Sequence, residues 1–302
     1  MRKPRCAAAL CLALCLLLGA CGAKADARPL RVPERPAVSL PPLAEKTDPP
    51  GCTPLPVYLD GLLCARGYEK RGCRYVPLAP LCDRAGLALR WYGGEDFFTL
   101  TLGSLRVEGE AGREYFTASG RFLYAPEGWL IRGEELLLPE HIAAALFGVA
   151  PQWDGEALRI GCAGLRLMEG GEDYYALNFP EEELYWLSHI INAEAKEEPL
   201  AGQIAVGNVV MNRVQSPDFP NTVFEVIYDT EHTIQFEPVA LGGIREEPTE
   251  QAQIAAYLVL EGANVVGDCL YFVNPEYGSY WFDSALELRA VIGRHNFYAD
   301  KD

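Results

Sequence analysis

A chain of 302 residues has room for two ordinary domains beside an export signal, and 49% hydrophobic residues argue against wholesale disorder. The formal net charge of −16 disfavours binding to nucleic acid or anionic lipid through bulk electrostatics. No run of Lys and Arg supplies a basic surface either.

The N-terminus carries the sharpest local signal. Arg2, Lys3 and Arg5 precede an almost wholly apolar stretch, Cys6 to Ala20, which is short for a transmembrane helix and has the layout of a secretory signal. It ends in Leu18-Gly19-Ala20-Cys21, which looks like a bacterial lipobox, with Cys21 the lipidated residue. Residues 1–20 are then a lipoprotein signal peptide, whose loss takes three positive charges and leaves −19. The alternative is an uncleaved anchor. Either arrangement places the rest of the chain outside the cytoplasm, on the outer face of the membrane. Cys6, Cys11 and Cys15 leave with the signal; Cys52, Cys64, Cys73, Cys82, Cys162 and Cys269 remain. Their spacing does not choose a pairing, and it lacks the close pairs a zinc site needs. No metal and no cofactor are expected.

Residues 21–54 are rich in Pro and charge and read as a tether. Residues 55–163 contain an internal repeat: Pro77, Gly86 and Trp91 recur 62 residues later as Pro139, Gly148 and Trp153. Tyr75-Val76-Pro77 matches Leu137-Leu138-Pro139, and each Gly closes a short helical pattern. Apolar strands follow at Phe97 to Leu102 and Ala157 to Ile160, and Val57 to Gly61 adds a leading strand. The unit is strand, short helix, turn, strand, used twice. It resembles the stalk domain named after the N-terminal region of copper amine oxidases, which implies a small α+β module without copper chemistry of its own. Trp91, Trp129 and Trp153 are expected in its core, with stacking on sugar faces as the alternative.

Residues 164–180 read as a linker and 181–302 as a second, mainly helical domain; the fold class is α+β. From Glu181 to Lys196, Leu184, Leu187, Ile190 and Ile191 fall on one helical face. The same step lands on Glu194, with Ala193 and Ala195 leaving room beside it. A carboxyl in apolar surroundings resists ionisation, as a general acid at a glycosidic oxygen must. The alternative is that Glu194 merely closes the helix. A second helix is expected over Leu200 to Gln215, with Leu200, Ile204, Gly207, Met211 and Val214 as its stripe. A third is expected from Pro248 to Leu260, with Pro248 in its first turn and Gly262 as its stop. A long loop, Ser216 to Glu247, separates them, and an apolar strand-like run follows at Cys269 to Asn274.

Between Leu184 and Tyr298 the chain carries, in order, Ala193-Glu194-Ala195, Glu198-Pro199, Gly202-Gln203-Ile204-Ala205-Val206, Val209-Val210-Met211-Asn212-Arg213-Val214, Phe219-Pro220-Asn221-Thr222, Gln235-Phe236, Leu270-Tyr271-Phe272-Val273-Asn274-Pro275 and Ile292-Gly293-Arg294-His295. In this order these stretches resemble the cell-wall hydrolase family of the spore-cortex-lytic enzymes SleB and CwlJ. The family often has Arg-Gly where this chain has Lys196-Glu197, and Gly where it has Ile234.

The resemblance implies a lysozyme-like catalytic domain acting on peptidoglycan glycan strands, at the bond between N-acetylmuramic acid and N-acetylglucosamine. It carries the catalytic role to Glu194 and implies lytic transglycosylation, which needs no second carboxylate. It implies further that Gln235, Phe236, Tyr271 and Asn274 line the cleft; for Gln235 and Phe236 the alternative is a loop hydrophobe anchored in the core. Trp281 and Tyr280 are either a stacking platform or core filling. The rival readings are a hydrolytic muramidase, for which Glu225, Glu231 and Glu237 are candidate partners, and a non-catalytic wall-binding or spore-assembly lipoprotein. His141, His189, His232 and His295 do not form a zinc-protease pair.

Overall fold

Along Leu105-Arg106-Val107-Glu108-Gly109-Glu110, buried and exposed residues alternate without a break, the pattern of a strand with one face in the core and one in water. Strands build the first half of the structure. The computed structural model describes residues 47–170, 179–229, 243–277 and 280–301. Leu43–Asp302 form one compact unit. Cys21 and most of the expected tether lie outside the described residues, and no helix among those described is long and apolar enough to cross a membrane.

One sheet takes the order β11-β12-β1-β2-β3-β10-β9, from β1 (Thr53–Leu59), β2 (Leu62–Lys70), β3 (Cys73–Pro77), β9 (Leu130–Arg132), β10 (Glu135–Pro139), β11 (Pro151–Trp153) and β12 (Leu158–Ile160). A second is an antiparallel meander of β4 (Leu89–Gly93), β5 (Phe97–Leu102), β6 (Leu105–Glu110), β7 (Tyr115–Ala118) and β8 (Arg121–Tyr124). The sequence repeat is visible in the first sheet. Its equivalent strands β3 and β10 pair antiparallel, with Leu138 opposite Val76. Each runs into a short helix, α1 (Ala79–Ala85) or α2 (Glu140–Phe147). Gly86 and Gly148 end these helices at φ of 66° and 60°, the left-handed conformation that glycine adopts without penalty. Trp91 and Trp129 pack against the core, as expected. Trp153 does not: it is 38% exposed, with the Arg74 guanidinium 5.2 Å from its ring centroid.

One residue of the expected tether, Asp48, is tied to the first sheet. Asp48 accepts a hydrogen bond from Tyr68 Oη at 2.5 Å and lies 3.6 Å from Arg132 Nε. At the other end, Leu165, Leu167 and Met168, expected in a linker, pack against the sheet core. The six cysteines are free thiols, with Cys82 and Cys269 buried.

The second half is helical around α3 (Glu181–Ala195), α4 (Leu200–Gln215), α5 (Val223–Ile227) and α6 (Glu250–Leu260). The short α7 (Tyr280–Ala285) and a small sheet, β13 (Tyr271–Val273), β15 (His295–Ala299) and β14 (Glu287–Ile292), complete it. The apolar stripe of α3 is fully buried at Leu187, Ile190 and Ile191. By contrast α4 is covered nearly all round, with Ile204 and Val210 in one cluster and Ala205, Val206 and Val209 in another. A helix so enclosed is central, and the single expected stripe understates it. Gly207 lets its neighbours close in: a Cβ there would meet Ile191 and Val259 side chains at 2.9 Å. The third helix begins later than its proline suggested, because Thr249 is the cap, its hydroxyl accepting from Ala252 N–H at 3.2 Å. The loop expected from Ser216 to Glu247 contains α5, whose start is capped by Thr222. Glu225 N–H donates to Thr222 Oγ1 at 3.2 Å, and the hydroxyl donates to Glu225 Oε2 at 2.9 Å.

The two halves share a core. Phe122 on β8 belongs to the helical cluster and stacks on Tyr257 of α6 at 5.0 Å. Beside it Arg121 forks onto Glu261, with Nε to Oε1 at 2.8 Å and Nη2 to Oε2 at 2.5 Å. The Glu261 side chain is 6% exposed and depends on this partner to offset its desolvation. Arg121→Ala is therefore expected to lower the free energy of unfolding by about 2–3 kcal/mol, read from denaturant melts. A loss under about 0.5 kcal/mol would mean that water screens the pair as it does on an open surface.

Candidate active site

Three elements of the helical half converge at their ends. Glu194 is the penultimate residue of α3 and is half-buried, between half-buried Ala193 and buried Ala195. The last turn of α4 presents Arg213, only 4% exposed. Tyr271, half-buried, opens β13.

The polar residues of α4 fix this convergence. Asn208 Nδ2 donates to Ala263 O at 2.7 Å, and Val265 N–H donates to Asn208 Oδ1 at 2.9 Å. Asn212 Nδ2 reaches Gly267 O at 2.8 Å and Cys269 O at 2.9 Å. Arg213 Nε donates to Leu270 O at 2.8 Å. Side chains one turn apart on α4 thus bind the main chain between α6 and β13 and deliver Tyr271 to the end of α4. Buried polar groups need such partners, and each bond contributes about 1 kcal/mol net.

Arg213 also lies against two rings, its guanidinium carbon 5.2 Å from the Phe219 centroid and 5.8 Å from that of Tyr271. Burial pulls its pKa down to about 10, while the charges of Tyr271, Asp229 and Glu194 act in the opposite direction. It therefore stays cationic at neutral pH. Burial raises the Tyr271 phenol, and Asp300 and Asp218 add to that, against Arg213. The surroundings of Glu194 are accordingly not apolar alone, as the helical pattern suggested. They include a buried cation.

A second polar assembly closes the domain behind the α3–α4 turn. Glu198 is 4% exposed, and its Oε1 accepts from Arg294 Nε at 2.6 Å. Its Oε2 accepts from Arg294 N–H at 2.9 Å. Burial pushes this carboxyl up, but the Arg294 amide and guanidinium, aided by His295, outweigh it and hold the pKa below its ordinary value. Burial lowers the His295 pKa, against the pull of Glu198. Gly293 is required here twice over: its φ is +60°, and a Cβ would overlap Glu198 Oε2. The motif pieces Glu198-Pro199 and Gly293-Arg294-His295 are thus one structural joint.

The remaining sequence candidates separate. Asn274 Oδ1 accepts from Glu276 N–H at 3.0 Å and so shapes its own turn. Trp281 is 59% exposed and Tyr280 87% exposed, so neither fills the core. Glu225 is spent on the α5 cap. Gln235, Phe236, Glu231 and Glu237 lie outside the described residues. A cleft of about 660 Å³ opens between the 112–115 turn and the residues 197–200 and 250–254, and Glu194 does not line it. Among the described residues, no group of three His, Cys, Asp or Glu is placed to hold a metal ion. Sequence reasoning missed Arg213, Asn208 and Asn212 as individuals, although the polar interruption of an otherwise apolar α4 was the available signal.

Residues 197–298 match the family model of the Cell Wall Hydrolase domain, so the C-terminal part of the chain is a cell wall hydrolase domain. Glu194 stands just ahead of the matched stretch. Among curated proteins, the relatives are spore cortex-lytic enzymes. That of Bacillus cereus is 33% identical over 120 residues, covering 39% of this chain and 45% of the relative. That of Bacillus subtilis is 33% identical over 131 residues, covering 42% of each. The chain thus spans less than half the length of these relatives. Similar solved structures are the catalytic domain of the germination-specific lytic transglycosylase SleB from Bacillus anthracis and that of the Bacillus cereus SleB protein. Each is 31% identical over 40% of this chain, covering 98% and 93% of the respective structure, with a TM-score of 0.37. The family resemblance expected from the motifs stands for this domain, and the overall class is α+β.

The Glu198 joint has a pH signature. A carboxyl whose folded pKa is depressed adds stability above its unfolded value, near 4.5, and loses it as pH falls through the folded value. Glu198→Gln is expected to be less stable than the parent at pH 7, with the gap shrinking below about pH 4.5. Thermal melts from pH 7 to pH 3 check this; a gap that stays constant would remove charge from the account.

Proposed function

We propose that the chain cleaves peptidoglycan glycan strands between N-acetylmuramic acid and N-acetylglucosamine as a lytic transglycosylase, with Glu194 as the proton donor. The observation that carries the reading is the half-buried Glu194 at the end of α3, just ahead of the stretch that matches the cell wall hydrolase domain and within electrostatic reach of the buried Arg213. Glu194 gives its proton to the glycosidic oxygen as the bond to the muramoyl anomeric carbon breaks. The resulting carboxylate takes the proton of the muramoyl 6-hydroxyl as that oxygen closes onto the same carbon. Glu194 ends protonated, the products are a free 4-hydroxyl and a 1,6-anhydro end, and no water is consumed.

The names of the relatives favour spore cortex as the substrate and an extracytoplasmic, spore-associated location. Export with a lipid at Cys21 accords with that, as does a stalk-like N-terminal half that sets the hydrolase domain away from the membrane. One observation favours the hydrolytic alternative. Asp229 is a second carboxylate in the field of Arg213, and a second carboxylate is what activation of water requires.

Digestion of purified spore cortex and vegetative peptidoglycan, followed by mass spectrometry of the fragments, tests these readings. Anhydromuramic ends support transglycosylation, and reducing ends with uptake of water support the hydrolase. Glu194→Gln is expected to reduce fragment release by about a thousandfold; near-parental release would remove Glu194 from the chemistry. Release by neither parent nor variant leaves wall binding, scored by cosedimentation.

A further inference from the structure

Helix α5 carries aromatic rings on the side where water-facing polar groups are expected. Its inner face, Val223, Val226 and Ile227, is buried in one cluster with Leu187, Ile190 and Ile191 of α3. Its outer face and cap present Phe224, 41% exposed, and Tyr228, 40% exposed. These rings lie 4.7 Å apart, and both meet Trp186 of α3, Phe224 at 5.1 Å and Tyr228 at 5.6 Å. Tyr185, 50% exposed, extends the group through an edge contact with Trp186 at 4.9 Å. The inner face already anchors α5, so packing does not call for these rings at the surface. A contiguous exposed apolar patch of this kind marks a binding site.

The rim and the position of the patch decide what it can hold. Residues 181–195 and 219–229 contain no Lys or Arg. Glu181 and Glu182 stand exposed one turn before Tyr185 and Trp186, and Glu225 and Asp229 directly follow Phe224 and Tyr228. Such a rim repels anionic lipid, and its oxygens accept hydrogen bonds from hydroxyl groups. The ring faces are negative and suit the slightly positive C–H faces of pyranose sugars. The helix that presents Trp186 also carries Glu194, about 12 Å further along its axis, a span longer than a single sugar ring. We infer that Tyr185, Trp186, Phe224 and Tyr228 form a sugar-stacking platform that holds the glycan strand away from the bond being cut. The inference rests on the function proposed above and extends its contact with the polymer. A platform of this kind binds ground state and transition state alike, so it sets KM and leaves kcat alone.

The test uses the full chain and glycan strands freed of their stem peptides. Strand binding is measured by calorimetry in the Glu194→Gln background, and kcat and KM in the parent background. The double variant Phe224→Ala/Tyr228→Ala should weaken binding about tenfold and raise KM about tenfold, with kcat within about twofold. Binding without the double substitution should change less than about twofold between about 0.05 M and about 0.5 M salt, because stacking is not screened. Tyr92→Ala removes an exposed ring from β4, in the other half of the fold, and should leave binding as it was. If the double variant does not fold, Phe224→Gln and Tyr228→Gln, made singly, decide.

Equal binding and equal KM with and without the two rings overturn the inference. Binding that salt abolishes overturns it too, since the ligand would then be a cation held by the acidic rim. So does self-association of the parent through these rings, seen in light scattering as a mass that the double variant halves. Glu194→Gln keeps the two questions apart. If it is inactive while the double variant binds and cleaves as the parent does, only the platform fails. If it cleaves like the parent, the proton donor fails, and the KM of the double variant still decides the platform. A parent that neither binds nor cleaves strands overturns both.

Discussion

The geometry of the hydrolase domain depends on one constraint: α4 is buried nearly all round and yet carries Asn208, Asn212 and Arg213. Polar groups in that position are tolerable only if bonded, and the main chain between Ala263 and Leu270 supplies the partners. Strand β13 therefore cannot slide along α4 without leaving several donors unpaired in the core. An apolar helix of the same volume could pack tightly and still allow other registers. The amides define where Tyr271 stands relative to the end of α4.

The same logic operates at the α3–α4 turn. Glu198 is bound to the Arg294 amide and guanidinium, and Gly293 comes so close to its carboxylate that no side chain fits. Asn192 Oδ1 accepts from Thr249 N–H at 3.0 Å, which ties the last turns of α3 to the start of α6. Glu194 thus sits between two residues whose side chains are each pinned to a different part of the fold. Its backbone position is over-determined.

What the sequence made legible follows from which forces are local. Periodicity placed α3 within a residue and α4 to its ends, because the apolar steps and flanking prolines are properties of consecutive residues. The repeat in the N-terminal half was legible for the same reason, down to the two glycines that close α1 and α2. Among the elements missed, strands β6 to β8 lie between the repeat units, and α5 is five residues long with only Thr222 and Glu225 to mark it; β2, β9, β14 and β15 were missed as well. Trp153 shows the limit of repeat reasoning, since equivalent positions in β4 and β11 share a conformation without sharing a burial. Glu194 could be singled out from its helical face, but its cationic neighbour could not. The polar interruption of α4 marks Arg213 as unusual, but not which elements its side chain will meet.

That neighbour changes how a single carboxylate can serve. In wholly apolar surroundings a protonated Glu194 would be ready to give its proton, but the anion left behind would be strongly disfavoured and the first step would be resisted. Beside a fully exposed cation the reverse would hold, with a stable anion and little tendency to carry a proton. Here the cation is itself tempered. The Leu270 carbonyl, two aromatic faces and the field of Asp229 share its charge, while Ala193 and Ala195 keep bulk away from the carboxyl on its own helix. A residue that acts first as acid and then as base, as proposed for Glu194, requires a setting in which neither protonation state is prohibitive.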